Sequence, residues 1–197
     1  MGEKSVQKKK FIVEKAREVF MEKGYKNVTM KDIVEACDIS RGGLYLYFDN
    51  TAQIFLEVIK LERGEDDDVF SGNISEDSTA TEVLFLFLQE QKKEVLRKKN
   101  SLTQATYEFF FENEVPKKEN FLRKEFVSVV KILEKLLEMG VENGEFFCDD
   151  CKQTARNIMY LMEGLKISAQ TIGLKEETVD QQILYIMQGL GVEMEEV

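Results

Sequence analysis

Apolar side chains recur every three to four residues along most of this chain, and no other feature narrows its fold so far. Ile12, Ala16, Val19 and Phe20 form one stripe, closed by Gly24. Leu122, Phe126, Val129, Val130, Leu133, Leu136 and Leu137 form another, ending at Gly140 and Gly144. Ala155, Ile158, Met162, Leu165, Ala169 and Ile172 run up to Gly173, and Val179, Ile183, Ile186, Met187 and Leu190 up to Gly191. Only a helix puts such positions on one face, and glycine just past the last of them is a stop signal. The sole proline, Pro116, leaves little punctuation for a β-rich alternative. A short polar residue followed three later by Gln or Glu marks helix starts at Asn50/Gln53, Thr79/Glu82, Ser101/Gln104 and Asp150/Gln153. The apolar run Val83–Leu88 has the length of a buried strand, but it continues through 89–99 without a breaker, which favours a helix. The expectation is an all-α chain of about nine helices.

Composition removes several functions. The chain has no histidine, which excludes His-ligated metals and His-based triads. No apolar run approaches the ~20 residues of a membrane span. Three cysteines without a secretory signal fit a reducing, cytoplasmic setting. Cys148-Asp149-Asp150-Cys151 is a C-x-x-C, but Cys37 is the only further thiol, so a four-ligand zinc site lacks donors. A thiol at a helix start can be acidified toward redox chemistry, and the two aspartates oppose that. No metal, cofactor or enzymatic activity is expected.

The most polar stretch, 63–78, divides the chain into expected domains 1–63 and 64–197. The net charge of −10 divides with it: 12 basic and 10 acidic side chains in the first part, 15 and 27 in the second. A +2 segment is thus joined to a −12 segment, and the basic run Lys8-Lys9-Lys10 stands before the first apolar stripe. That run is either an arm on a nucleic-acid backbone or a solvated terminus.

Residues 29–48 carry the sharpest pattern. Thr29 with Asp32 three residues later reads as a capped start, and Ile33, Val34 and Ala36 continue a short helix. Cys37-Asp38-Ile39 is a break in which Asp tolerates a left-handed turn. Ser40 can cap a second short helix through Phe48. Two short helices about a tight turn make a helix-turn-helix, with 12–23 as the supporting helix. In the second helix Leu44 and Phe48 share one face, and Gly42-Gly43 costs roughly 1 kcal/mol per glycine relative to alanine. Close approach of a partner to the backbone would explain that cost. Arg41 stands where such helices meet base edges; it could read a base or clamp a phosphate.

The ordered set 20–25, 29–33 and 40–48 resembles the DNA-binding domain of the tetracycline-repressor (TetR) family over roughly residues 11–60. Asp38 stands in place of the usual turn glycine, and the 49–51 corner lacks a common lysine. The resemblance implies a one-component regulator: an N-terminal three-helix reader and a larger C-terminal helical domain for effector binding and dimerisation. By motif position Thr29, Tyr45 and Tyr47 would contact phosphates, and Arg41, Gly42, Gly43 and Leu46 would face bases.

Aromatics concentrate in the second part. Phe85, Tyr107, Phe110, Phe111 and Phe126, with Met159 and Glu163, are the candidate lining of an apolar effector cavity. Glu163 would suit a hydrophobic effector that carries a cationic group. The last two helices, about 151–172 and 176–190, correspond to the family's two-fold dimer pair, with Ile158, Met162, Leu165, Ile183, Met187 and Leu190 as candidate interface residues. The expected function is a homodimeric repressor on a palindromic double-stranded DNA operator, released by a small hydrophobic ligand. The rival reading is a helical small-molecule or lipid carrier that binds no operator.

Overall fold

The structure, a computed structural model, describes residues 3–65, 78–97 and 101–193. The regular structure of these residues is entirely helical: α1 (Glu3–Lys23), α2 (Met30–Cys37), α3 (Arg41–Tyr45), α4 (Thr51–Glu65), α5 (Ala80–Leu96), α6 (Thr103–Glu112), α7 (Phe121–Glu142), α8 (Cys151–Thr171) and α9 (Glu176–Gly189). Most of the polar stretch 63–78 lies outside the described residues.

Contacts sort the chain into two units, residues 1–67 with 98–115, and 68–97 with 116–197. The expected cut at 63/64 is a cut in sequence; in space α6 groups with the N-terminal residues, so the first unit is built from two separate pieces of chain. Each unit has its own core.

In the first unit α1 packs against α2, α4 and α6. Ile12, Ala16, Phe20, Ile33, Leu44, Ile54, Phe55 and Val58 are fully enclosed. Phe109 of α6 completes an aromatic nucleus: its ring lies 5.0 Å from Tyr25 and 5.1 Å from Phe55, and Phe20 meets Phe55 edge-on at 4.9 Å. Each buried ring contributes about 2–3 kcal/mol of apolar burial, and each close pair about 0.5–1.5 kcal/mol more. The Glu108 carboxylate accepts a hydrogen bond from the Lys26 backbone at 2.9 Å, tying α6 to the turn after α1.

In the second unit α7 and α8 pack together, and α5 crosses α7, α8 and α9. Leu84, Leu88, Leu133, Leu137, Met162, Val179 and Met187 form its centre. Gly140 lies within α7, where the Phe146 ring occupies the place of its absent side chain: a Cβ there would stand 2.1 Å from the ring. The start of α5 is closed twice. Thr79 and Glu82 form a reciprocal capping box, and Glu145 accepts from the backbones of Ala80 and Thr81 at 3.2 and 2.8 Å.

Three local expectations need correcting. First, α1 begins at Glu3, not Ile12; good helix formers and the Lys10–Glu14 pair extend it, and Glu3 suits the positive end of its dipole. Lys8, Lys9 and Lys10 are therefore helical, and Lys9 is tied to Glu57 at 2.7 Å. Second, α3 stops at Tyr45, not Phe48: after the two glycines the chain tightens, with Tyr47 N donating to Leu44 O at 3.0 Å. Third, Ser101 and Gln104 form no box. Ser101 Oγ accepts from the Thr103 backbone two residues on, and Gln104 donates to Glu108.

Candidate nucleic-acid interface

The helix-turn-helix is assembled by local rules. Thr29 caps α2 in a full box: the Asp32 backbone donates to Thr29 Oγ1 at 3.3 Å, and Asp32 Oδ2 accepts from the Thr29 backbone at 2.8 Å. The Lys23 ammonium, then the Thr29 hydroxyl and backbone, hold the Asp32 carboxyl far below the usual carboxylate range. Asp38 makes the turn in the left-handed region at φ 49°, ψ 50°, the one non-glycine positive φ among the described residues. Ser40 then caps α3, accepting from the Gly43 backbone at 3.0 Å.

Leu44 and Phe48 are buried and anchor α3 by one side. The other side is presented outward. Arg41 and Gly42 are exposed, Tyr45 is 41% exposed and Leu46 83% exposed. The Arg41 guanidinium lies 5.7 Å from the Tyr45 ring, which braces it. Gly43 and Tyr47 are half-buried, and Thr29 is exposed with its hydroxyl engaged by Asp32 at 2.5 Å. All seven residues expected at a DNA surface thus belong to one small helix-turn-helix, five of them exposed.

Gly42 is the informative position. A Cβ built on it meets nothing within 4 Å, and its backbone is helical. No described neighbour in its own chain requires glycine there, as is also true of Gly164 within α8. At Gly43 a Cβ would come 3.2 Å from Ser40 Oγ, crowding the cap.

The expected effector residues divide between the units. Phe85, Phe126, Met159 and Glu163 lie in the second, where Met159 is buried in the core and the Phe126 ring is 4.9 Å from Tyr160. Glu163 is already paired with Lys166 at 3.0 Å. Tyr107, Phe110 and Phe111 belong to the first, where Phe110 packs edge-on against Phe109 at 5.4 Å and Phe111 is exposed. The expected dimer residues need correction. Ile158, Met162, Leu165, Ile183, Met187 and Leu190 are all less than a tenth exposed inside the chain's own core. Side chains so enclosed have no area left for a partner. The outward apolar residues of this pair are Tyr160, Ile167, Tyr185 and, just past the end of α8, Ile172. Helical spacing identified the apolar stripe but could not say which stripe faces the chain's own core.

The C-x-x-C holds free thiols. Burial first, then the Cys148 thiol and the charges of Glu138 and Asp150, push the Cys151 thiol up to about 11, the opposite of an activated cysteine. Among the described residues no three His, Cys, Asp or Glu side chains gather as a metal site, and no helix is long and apolar enough to cross a membrane.

A capped, glycine-bearing helix that offers arginine and tyrosine outward from a trihelical core defines a helix-turn-helix DNA-binding protein. Comparison with known proteins agrees. Residues 12–58 match the family described as bacterial regulatory proteins, tetR family, and residues 83–180 match the tetracyclin repressor-like C-terminal domain. The chain belongs to the TetR family of transcriptional regulators. It is 32% identical over 139 residues to the uncharacterized HTH-type transcriptional regulator YfiR of Bacillus subtilis, covering 68% of this chain and 66% of that protein. It is 23% identical over 152 residues to the HTH-type transcriptional regulator QacR of Staphylococcus aureus, covering 76% and 79%. The solved transcriptional regulator FadR from Bacillus subtilis, in complex with stearoyl-CoA, superposes with a TM-score of 0.68 at 20% identity, over 91% of this chain and 98% of that one.

Proposed function

We propose that the chain is a cytoplasmic, non-enzymatic repressor that binds a palindromic operator as a homodimer and leaves it when a small hydrophobic ligand binds residues 64–197. The carrying observation is the outward surface of α3, above all the unfilled space at Gly42. Residues 1–63 supply the reader, with Arg41, Gly42, Gly43 and Leu46 toward bases and Thr29, Tyr45 and Tyr47 toward phosphates. Tyr160 and Tyr185, 64% and 68% exposed, with Ile167 and Ile172, supply the self-complementary face of the dimer.

The effector reading rests on the apolar second core with Phe85, Phe126 and Met159, and on the stearoyl-CoA held by the similar FadR. Lys166 beside Glu163 leaves less attraction for a cationic effector than the bare carboxylate would. Gln91 Oε1, on α5, is a buried acceptor with no hydrogen-bond partner, and a donor on the ligand would satisfy it. Release requires that the ligand favour a conformer whose two readers no longer match the operator.

A gel shift on the DNA upstream of the protein's own gene, titrated with salt, tests the reading. Sequence-selective binding with a steep negative salt slope is expected. Arg41→Ala should cost ~1–3 kcal/mol and relax preference at one base pair if Arg41 reads a base; an even loss over all sequences assigns it to a phosphate. The absence of any selective shift at low salt returns the chain to the carrier reading.

A further inference from the structure

Two free thiols of the second unit have no part in the function proposed above. Cys148 stands in the loop after α7, and Cys151 opens α8. Both are half-buried and packed from one side against the second core. The chain folds back between them. Cys151 Sγ lies 4.0 Å from the Cys148 carbonyl, and the two thiols are close enough to hydrogen-bond. Asp150 caps α8 between them, accepting from the Gln153 backbone at 2.9 Å, so the start of the helix holds the pair together. Cys37, the remaining thiol, is enclosed in the core of the first unit.

The two thiols differ in their surroundings. Cys148 Sγ lies 3.3 Å from the Thr154 hydroxyl, which can rotate to donate to the sulfur once its proton has left. Cys151 is held as the thiol by burial and by the charges of Glu138 and Asp150. Asp149 and Asp150 are exposed beside the pair, and Lys152 is the one cation in the run 148–153. Phe147, the residue before Cys148, docks on the turn that closes α9. Its backbone donates to Leu190 O at 2.8 Å, and its ring fills the place of the side chain that Gly191 lacks, 2.4 Å from where a Cβ would stand.

We propose that Cys148 and Cys151 form a thiol–disulfide exchange site for small neutral or cationic disulfides, and that its oxidised form pins Phe147 on the turn after α9. Cys148 sulfur attacks one sulfur of the disulfide RSSR. A bond from Cys148 to SR forms, the S–S bond of the reagent breaks, and the departing RS takes the proton that Cys148 gave up. Cys151 sulfur then attacks Cys148 sulfur and displaces the second RS, which takes the Cys151 proton. Two protein thiols are oxidised to one disulfide, and RSSR is reduced to two RSH. The sulfurs already meet in the reduced chain, so closure needs no large backbone movement. Asp149, Asp150 and Glu138 repel an anionic disulfide and attract a cationic one. The exchange needs neither operator nor effector.

The test uses the full-length Cys37→Ser protein, in which only the pair can react. It is incubated with cystamine, a cationic disulfide, or with oxidised glutathione, an anionic one. Each rate is divided by that of the same reagent with dithiothreitol. Mass spectrometry after alkylation should show one intramolecular disulfide. Cystamine should react about tenfold faster at low salt, and the ratio should fall as salt rises. On the same background Cys151→Ser should stop at the mixed disulfide on Cys148, whereas Cys148→Ser should accumulate little of it. Hydrogen exchange at the Phe147 amide should be slower in the oxidised protein than in the reduced one. If Cys37→Ser loses helix content in circular dichroism, wild type takes its place and peptide mapping locates the bridge. No disulfide with either reagent overturns the site, equal relative rates overturn its preference for charge, and unchanged exchange at Phe147 overturns the link to α9.

Discussion

At the scale of single residues, strain and filled space mark the residues that the fold itself requires. Gly140 is needed internally, because Phe146 fills the space beside it. Asp38 takes a left-handed turn that most residues enter at a cost of about 1 kcal/mol. Gly42 has no such internal reason. Gly42→Ala should therefore act in opposite directions: thermal unfolding rises, by up to about 1 kcal/mol of stability, while operator affinity falls. A variant that gained stability and bound DNA as well as wild type would show that the open space is not used. The pattern Ser40-Arg41-Gly42-Gly43 was legible in sequence because every determinant lies within a few residues. Which basic residues stay free was not legible, since Glu57 and Glu62 reach Lys9 and Arg17 from more than forty positions away.

At the scale of elements, helix existence follows from spacing, and helix ends follow from side-chain bonds that compete locally. Thr79/Glu82 and Thr29/Asp32 close into full boxes; Asn50 and Asp150 make the cap bond alone, accepting from the backbones of Gln53 and Gln153. The strap from Glu145 to the start of α5 has no sequence signature, because its partners are 64 and 65 residues away. Burial works to raise the Glu145 carboxyl, and donors from Thr81, Ala80 and Asn143 outweigh it, so its pKa lies below the usual value. Its contribution is thus complete above the unfolded value of about 4.3 and fades as pH falls through the lower folded one. Asp32 and Glu57, also lowered by their partners, act in the same direction. Glu145→Gln should lower the melting temperature at pH 7, by about 1–2 kcal/mol in stability, and the gap to wild type should close toward pH 3. A gap independent of pH would mean that the carboxylate charge is irrelevant to the strap.

At the scale of the whole molecule, the all-α architecture and the reader were legible from periodicity and motif, whereas the assignment of faces was not. A helix buried on one side and paired with a second copy on the other shows two apolar stripes, and spacing cannot rank them. The exposure of Tyr160 and Tyr185 shows which stripe faces outward, and the dimer face proposed above is built on it. Tyr160→Glu/Tyr185→Glu should convert the dimer to monomer in light scattering and weaken operator binding at least tenfold, since a monomer grips one half-site alone. Retained dimers would place the two-fold contact elsewhere.

The placement of Phe109 among Phe20, Tyr25 and Phe55 has a consequence for how the protein is made. The helix-turn-helix leaves the ribosome early, but the ring that completes its aromatic nucleus follows some fifty residues later. At about 5–20 residues per second that is a wait of roughly 3–10 seconds, with Tyr25 and Phe55 lacking their last neighbour. A fragment stopped at residue 63 would be fixed permanently at that stage of synthesis. Its most apolar face would be open to self-association, however intact its recognition helix.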